Sequence, residues 1–378
     1  MKKHHLMIPV AFGLERVVAF ELEQLGVDDV MIEKGVCFFD GDDALIAKTN
    51  MALRTAERIY KVMAIQEVTT FDALFATIEK IAWEHWLNPE GAFNISAKSQ
   101  QSTLFSLRDI QKLTKKAIIK RLEQHTQNTT FLEEGPPYHV AIHIEDNVMM
   151  VLLDTSGEAL HKRGYRQHTG EAPLKETLAA ALVLLSVYRH DRQLYDPFCG
   201  SGTIPIEAAM IARNQAPNLH RAFAYQSFLT YDETTHRSVQ IDLKSAERKE
   251  TIAPILGSDN DQSMVQLAQT HAKKAGVDDL VEFTLDRFET KRFDAGHHLI
   301  ITNPPYGERM QKVKDLERLY AAIGRTFKRL KTYSLFLITS TTSAESLLGL
   351  KATRTRVLFN GPIKARFYQF LGPKPLQK

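Results

Sequence analysis

Leu194-Tyr195-Asp196-Pro197-Phe198-Cys199-Gly200-Ser201-Gly202-Thr203 is the stretch whose reading decides the fold. A short apolar run enters, two glycines turn the chain, and a helical pattern leaves over 204–213. Strand, glycine turn and helix in that order open a doubly wound parallel sheet, whose ligand crevice lies at the carboxyl ends of the strands. The glycines permit positive φ and close backbone approach. No Lys follows them and the third glycine of the dinucleotide fingerprint is missing, so neither a phosphate-cradling loop nor a dinucleotide turn is expected. Asp196, at the strand end, repels a pyrophosphate. It accepts from amino or hydroxyl groups and pairs with a cation.

Outward from this turn the pattern is regular. A helix is expected over 176–189, strands over 252–257, 281–285, 298–302 and 334–339, and helices over 262–275 and 316–330. Alternation of this kind implies a parallel sheet covered on both faces. Strands at 355–359 and 363–370 flank Asn360-Gly361-Pro362, a hairpin signal that closes the sheet with an antiparallel pair. Residues 214–250 form a polar excursion, long for a loop and so expected to be partly structured or functional. Before residue 155 the elements are shorter and read as an α+β region. Strands are expected at 4–10, 30–39, 58–68 and 92–97, helices at 14–25, 42–54, 71–87 and 107–125, and a hairpin at 138–145 and 148–154.

The chain has 378 residues, 48 basic against 45 acidic, for a net charge of +3, with 44% apolar and 25% charged residues. These values exclude wholesale disorder and fibrous repeats. Two cysteines, Cys37 and Cys199, are too few for a disulfide framework or a structural zinc site. His4, His5, His297 and His298 have no further ligand at metal spacing, so no metal is expected. The longest apolar run covers 178–188, shorter than the roughly 20 residues of a membrane span. A cytoplasmic protein without a membrane partner is the expectation.

The near-neutral total hides local charge. Between Lys98 and His125 basic residues exceed acidic ones by five, and the last 28 residues carry seven basic side chains and no acid. The helix at 107–125 places Ile110, Leu113, Ala117, Ile118 and Leu122 on one face and Arg108, Lys112, Lys115 and Lys116 elsewhere. Clustered cations suit a polyanion, through release of its counterions, although a solvated face is equally compatible. Arg163 and Arg166 flank Gly164-Tyr165; a linker salt bridge and a contact with RNA or active site both stand.

Two more acids end strands, Asp259 and Asp286. Asp259 suits a ribose diol and Asp286 an adenine amine. With Asp196 they suit a ligand bearing ribose, adenine and ammonium groups, which S-adenosylmethionine has. Asn303-Pro304-Pro305-Tyr306-Gly307 follows the apolar strand. Paired prolines stiffen the bend. It presents acceptors, the Asn303 side-chain oxygen and the Pro304 carbonyl, with Tyr306 as a flat face for a ring. Two acceptors on an exocyclic amine aim its lone pair at a methyl donor. A base must leave its stack to reach such a pocket.

The run 196–203 with 303–306 resembles class I S-adenosylmethionine-dependent methyltransferases that modify exocyclic amines. Leu160-His161-Lys162-Arg163-Gly164-Tyr165-Arg166, Ala172-Pro173-Leu174-Lys175-Glu176, Ile204-Pro205-Ile206-Glu207-Ala208-Ala209 and Gly307-Glu308-Arg309 narrow this. Together they resemble the THUMP-domain RNA methyltransferases, in the group similar to the ribosomal large-subunit RNA guanine-N2 enzyme. The resemblance implies a ferredoxin-like region at 1–65, a THUMP RNA-binding domain at 66–158 and a Rossmann-like methyltransferase domain at 159–378. It implies S-adenosylmethionine held by Asp196, Pro197, Phe198, Cys199, Gly200, Ser201, Gly202, Thr203, Asp259, Asn260 and Asp286. Asn303, Pro304, Pro305 and Tyr306 then take the target base. Structured RNA, ribosomal RNA foremost, is the implied partner, contacted by Arg108, Lys112, Lys115, Lys116, Arg163 and Arg166. Guanine N2 of large-subunit ribosomal RNA is the implied target. An adenine-N6 methyltransferase and a non-catalytic RNA-binding or assembly factor are the rival readings.

Overall fold

The computed structural model describes residues 3–126, 131–166, 174–288, 291, 293–305 and 313–374. The chain forms two compact units: Met1–Pro9, Glu21–Leu160 and Asn218–Leu243 in one, and Val10–Phe20, His161–Pro217 and Lys244–Lys378 in the other.

The first unit is built on one seven-stranded sheet. In chain order its strands are β1 (His4–Pro9), β2 (Met31–Glu33), β3 (Val36–Gly41), β4 (Tyr60–Glu67), β5 (Ala92–Gln100), β6 (Pro137–Glu145) and β7 (Val148–Asp154). Their spatial order is β2-β3-β1-β4-β7-β6-β5. The helices between them in the chain are α1 (Glu15–Gln24), of which the residues up to Phe20 belong to the second unit, α2 (Asp43–Ala52), α3 (Phe71–Glu79) and α4 (Leu107–His125). The single strand expected over 30–39 is a hairpin, because Gly35 turns the chain at φ +77°. The helix expected over 71–87 ends at Glu79, and Trp83–His85 forms a separate 3₁₀ turn. Asp146 and Asn147 both take positive φ, as the hairpin between β6 and β7 requires.

The polar excursion folds with this first unit. Its residues 218–243 dock through backbone bonds from Tyr225 N to the Thr155 carbonyl (3.0 Å) and Leu229 N to the Trp86 carbonyl (3.0 Å). The Tyr138 hydroxyl donates to the Ser227 carbonyl at 2.6 Å.

The second unit opens with α5 (Glu176–Leu185), β8 (Leu194–Asp196) and α6 (Thr203–Arg213). After α7 (Glu233–Ser245) come β9 (Ile255–Asp259), α8 (Gln262–Ala275), β10 (Val281–Leu285), β11 (Leu299–Thr302), α9 (Val313–Arg329), β12 (Ser334–Thr339), α10 (Ala344–Leu348), β13 (Arg354–Asn360) and β14 (Ile363–Phe370). The sheet order is β10-β9-β8-β11-β12-β14-β13. The pairs from β10 through β12 are parallel, and β14 is antiparallel to both β12 and β13. This is the expected Rossmann-like sheet with its closing hairpin. Every residue of β11 and β12 is buried, as expected of strands covered on both faces.

From β8 the chain steps outward through β9 and β10, then crosses back to lay β11 on the other side of β8. The order reverses there, so the loops after β8 and β11 diverge and leave a crevice. Close packing beneath the crevice needs glycine. A Cβ on Gly257 would stand 2.6 Å from Phe283 Cδ1 and 3.2 Å from Cys199 Cβ. On Gly202, already at φ +84°, it would stand 2.8 Å from Phe283 Cζ.

Gly257→Ala should therefore destabilise the protein by about 1–3 kcal/mol through overpacking. A urea midpoint equal to that of the wild type would show that Phe283 moves aside freely.

Candidate functional site

The turn after β8 is fixed on two sides. On the β9 side, Cys199 N donates to the Ser258 carbonyl at 2.9 Å and Gly200 N to Asp259 Oδ2 at 3.0 Å. On the β11 side, the Thr302 hydroxyl donates to Asp196 Oδ1 at 2.6 Å. The parallel register pairs Ile300 with Tyr195, so Thr302 and Asp196 fall at neighbouring strand ends. The glycine turn and the Asn303 turn thus leave the sheet side by side.

Between them lies a cavity of about 830 Å³. Of the expected cofactor residues, Pro197, Phe198, Gly200, Asp259, Asn260 and Asp286 line it. Asp196, Cys199, Gly202 and Thr203 are buried and Ser201 is half-buried; none of the five is on the lining. The Ser201 carbonyl lies 3.1 Å from His271 Nδ1, which must carry the proton since a carbonyl only accepts. Asn303 and Pro305 line the other wall, Pro304 is buried, and Tyr306 lies outside the described residues.

The wall chemistry is acceptor-rich. Asn303 Oδ1 is buried and has no hydrogen-bond partner among the described residues. Leaving such an acceptor unsatisfied costs free energy, so a donor is wanted there. Asp259 also accepts from Asp261 N at 3.0 Å, and Asp286 accepts from Arg287 N at 2.8 Å and pairs with Lys291 at 3.2 Å. Each carboxylate keeps lone pairs for a further donor. A Cβ on Gly200 would meet nothing within 4 Å, so this backbone is open to a ligand. Phe198 and Phe288, with ring centroids 5.3 Å apart, add an apolar wall. These groups suit a nucleoside that offers hydroxyl and amino donors.

Sequence reading missed part of the lining: Met264, Arg287, Phe288 and, on α9, Asp315, Arg318, Leu319, Ala322 and Arg325. The recurrence at 315, 318, 322 and 325 marks one helical face, but nothing in it says that the face meets a cavity. Cys199 is buried and its thiol pKa is driven up by burial, with Asp196 and Asp259 adding to the rise, so it packs rather than attacks.

Arg163 and Arg166 are turned inward. Arg163 Nε lies 3.6 Å from Glu207, whose carboxylate also accepts from the Tyr165 hydroxyl at 3.2 Å. Arg166 pairs with Glu176 at 3.4 Å and donates to Thr203 and to the Leu174 carbonyl. Both side chains thus form internal ion pairs, and Arg166 also holds Thr203 of the glycine turn.

In the first unit, α4 buries Ile110, Thr114, Ala117, Ile118 and Leu122, with Leu113 only half-buried. Lys115, Lys120 and Arg121 pair with Glu133, Glu79 and Glu84, and Arg121 holds the Glu84 carboxyl down at about 2. Arg108, Lys112 and Lys116 are exposed, with no carboxylate partner among the described residues. Among those residues no group of three or more His, Cys, Asp or Glu is arranged to hold a metal, and no helix is long and apolar enough to cross a membrane.

Burial raises the Asp196 carboxyl from 3.8 to about 7, against the lowering by Thr302 and the Phe198 amide. The folded value exceeds the unfolded one, so the neutral acid favours the fold. That contribution is whole below about pH 4 and is lost as pH rises through about 7. The stability of the wild type relative to Asp196→Asn should fall between pH 5 and pH 8 in urea titrations. A constant difference would show that Asp196 stays ionised throughout.

Comparison with known proteins agrees with this geometry. The family model described as RMKL-like, methyltransferase domain matches residues 163–369, the RlmL ferredoxin-like domain matches 5–60 and the THUMP domain matches 68–154. The Bacillus subtilis (strain 168) protein named "Putative RNA methyltransferase YpsC" is 39% identical over 372 residues, which cover 98% of this chain and 96% of that one. The crystal structure of SMU.472 complexed with SAH aligns with a TM-score of 0.92 at 37% identity, covering 99% of this chain and 100% of that one. A Listeria monocytogenes structure described as a "predicted N6-adenine-specific DNA methylase" aligns with a TM-score of 0.93 at 36% identity, covering 99% and 97%. With all three models matched in this order and a relative of this identity along nearly its whole length, the chain belongs to the THUMP-domain-containing, RMKL-like family of class I S-adenosylmethionine-dependent RNA methyltransferases.

Proposed function

We propose that this protein methylates an exocyclic base amine, guanine N2 of large-subunit ribosomal RNA, with residues 66–158 gripping the RNA and residues 159–378 carrying out the transfer. The observation that carries this reading is that Asn303, whose buried Oδ1 has no partner among the described residues, lines the crevice with Gly200, Asp259 and Asp286. An acceptor left open where a donor must arrive is what recognition of an N–H₂ group needs.

S-adenosylmethionine, when bound, supplies a methyl group activated by a sulfonium. Asp259 would hold its ribose hydroxyls and Asp286, with Asn260, its adenine. Pro197 and Phe198 form the apolar floor, and the Gly200 backbone takes the methionine end. Asp196 acts from beneath, fixing the turn through Thr302 and adding negative charge when ionised. Asn303 Oδ1 and the Pro304 carbonyl accept from the two amine hydrogens and hold the lone pair on the line of transfer. Pro305 keeps the bend stiff, and Tyr306 is assigned from its motif to stack on the target ring. The exposed cations Arg108, Lys112 and Lys116 take RNA phosphates, with Lys115 joining when it leaves Glu133.

The name of the Listeria relative supports adenine N6 as a second reading, because the Asn-Pro-Pro turn addresses an amine and not a whole base. Nucleoside mass spectrometry of RNA and DNA from a deletion strain separates the two. Loss of N2-methylguanosine from large-subunit RNA is expected; loss of N6-methyladenosine instead would transfer the assignment to adenine.

Asn303→Ala should lower transfer by about a hundred- to a thousandfold and leave S-adenosylmethionine affinity, measured by calorimetry, within a few fold. Equal loss of both would move Asn303 from amine recognition to cofactor binding. Charge reversal at Arg108, Lys112 and Lys116 together should weaken RNA binding and reduce the slope of log affinity against log salt by about three. An unchanged slope would remove α4 from the RNA face.

A further inference from the structure

The loop that leads into α4 displays an aromatic ring that the fold makes no use of. Phe105 is 81% exposed, the most exposed of the large apolar side chains among the described residues. Its position makes this unusual. Ser106 is the residue before the first turn of α4, and an apolar residue preceding such a cap commonly packs against the fourth helical residue. That residue is Ile110, and it is fully buried without help from Phe105. The neighbouring Leu104 is itself buried.

The loop is not slack. Thr103 N donates to Asn147 Oδ1 at 2.8 Å and Asn147 N to the Ser102 hydroxyl at 3.0 Å. The Ser102 hydroxyl reaches the Gln100 carbonyl at 2.7 Å, and the Ser99 hydroxyl reaches the Leu104 carbonyl at 2.5 Å. Phe105 is therefore presented from a braced loop, and little ordering remains to be done when something stacks on it.

The unpaired cations start from the same end. Arg108, Lys112 and Lys116 recur every fourth residue, a stripe of about 6 Å steps along one side of the helix. Asp109 follows Arg108 on the helix, and its carboxylate accepts from the Ser106 hydroxyl at 2.5 Å. An exposed flat ring at the head of a line of cations is the pairing found in single-strand binding surfaces. There the ring takes a base face and the cations follow the backbone. A duplex offers phosphates but no free base face.

We infer that Phe105 stacks on an unpaired nucleobase of the RNA, with the phosphates of that strand running along Arg108, Lys112 and Lys116. This rests on the RNA reading above and adds to it that the first unit selects single-stranded nucleotides.

The test uses the full-length protein, a fluorescein-labelled twelve-nucleotide single-stranded oligoribonucleotide, and the same strand annealed to its complement. Phe105→Ala should weaken single-strand binding by about tenfold, leave duplex binding and the salt slope unchanged, and be rescued by Phe105→Trp but not by Phe105→Leu. Equal affinity of Phe105→Ala and wild type overturns the inference, as does equal loss on strand and duplex. Full rescue by Phe105→Leu overturns it too, because a non-planar apolar side chain would then serve as well as a ring. If instead the Arg108, Lys112 and Lys116 reversal leaves binding of both RNAs unchanged, the RNA role of α4 itself has failed. If that reversal weakens both and Phe105→Ala weakens neither, only the stacking fails.

Discussion

One buried hydrogen bond, from the Thr302 hydroxyl to Asp196, joins the ends of the two strands between which the sheet order reverses. Everything that makes the crevice chemically specific is referred to it. Asp196 begins the glycine turn and Thr302 immediately precedes Asn303, so the bond sets the separation of the two turns. Burying a carboxylate there has a cost, visible in the rise of its pKa to about 7. The Thr302 hydroxyl and the Phe198 amide offset part of that cost. Asp259 fastens the other side of the turn through the Gly200 amide, which leaves the opposite face of Gly200 open to the cavity.

Around this frame Asp259, Asp286 and Asn303 bring acceptors to the cavity, and Arg287, Arg318 and Arg325 bring cations to it. Asp259 and Asp286 face the cavity with one protein partner or more each, and the Asn303 oxygen has none among the described residues. A diol, an amine or a cation would be held at those acceptors. The family match is in keeping with this, since S-adenosylmethionine carries all three. Cations follow the opposite rule on α4. Those beside Glu79, Glu84 and Glu133 are neutralised by the fold, and those at 108, 112 and 116 remain for a partner.

Regular elements were legible where one signal dominated. The helix at Gln262–Ala275 has an Asp261 cap and a Gly276 stop, and its expected limits coincide with the observed ones. The strands Val281–Leu285 and Ser334–Thr339 and the helix Leu107–His125 also coincide. Misreadings arose where two weak signals competed. Lys34-Gly35 split one apolar run into a hairpin, and the five-residue helix Ala344–Leu348 is too short for periodicity to register. Residues 218–243 looked like an excursion of the methyltransferase region because they interrupt it. Their bonds to Trp86, Tyr138 and Thr155 are long-range, and no local pattern encodes them.

By itself the sequence determined the strand–turn–helix grammar, the glycines at 200 and 202, the three acids at strand ends and the stiff Asn-Pro-Pro bend. These follow from local backbone preferences and from the period of apolar residues. Only the tertiary structure decided which groups are free to act. It committed Arg163 and Arg166 to Glu207 and Glu176, set Asp196 behind the lining, brought a face of α9 into the cavity and left Phe105 outside the core. The physical reason is that a charge or an acceptor is available only if nothing nearby satisfies it, and its neighbours in space are set by the crossing of strands far apart in the chain.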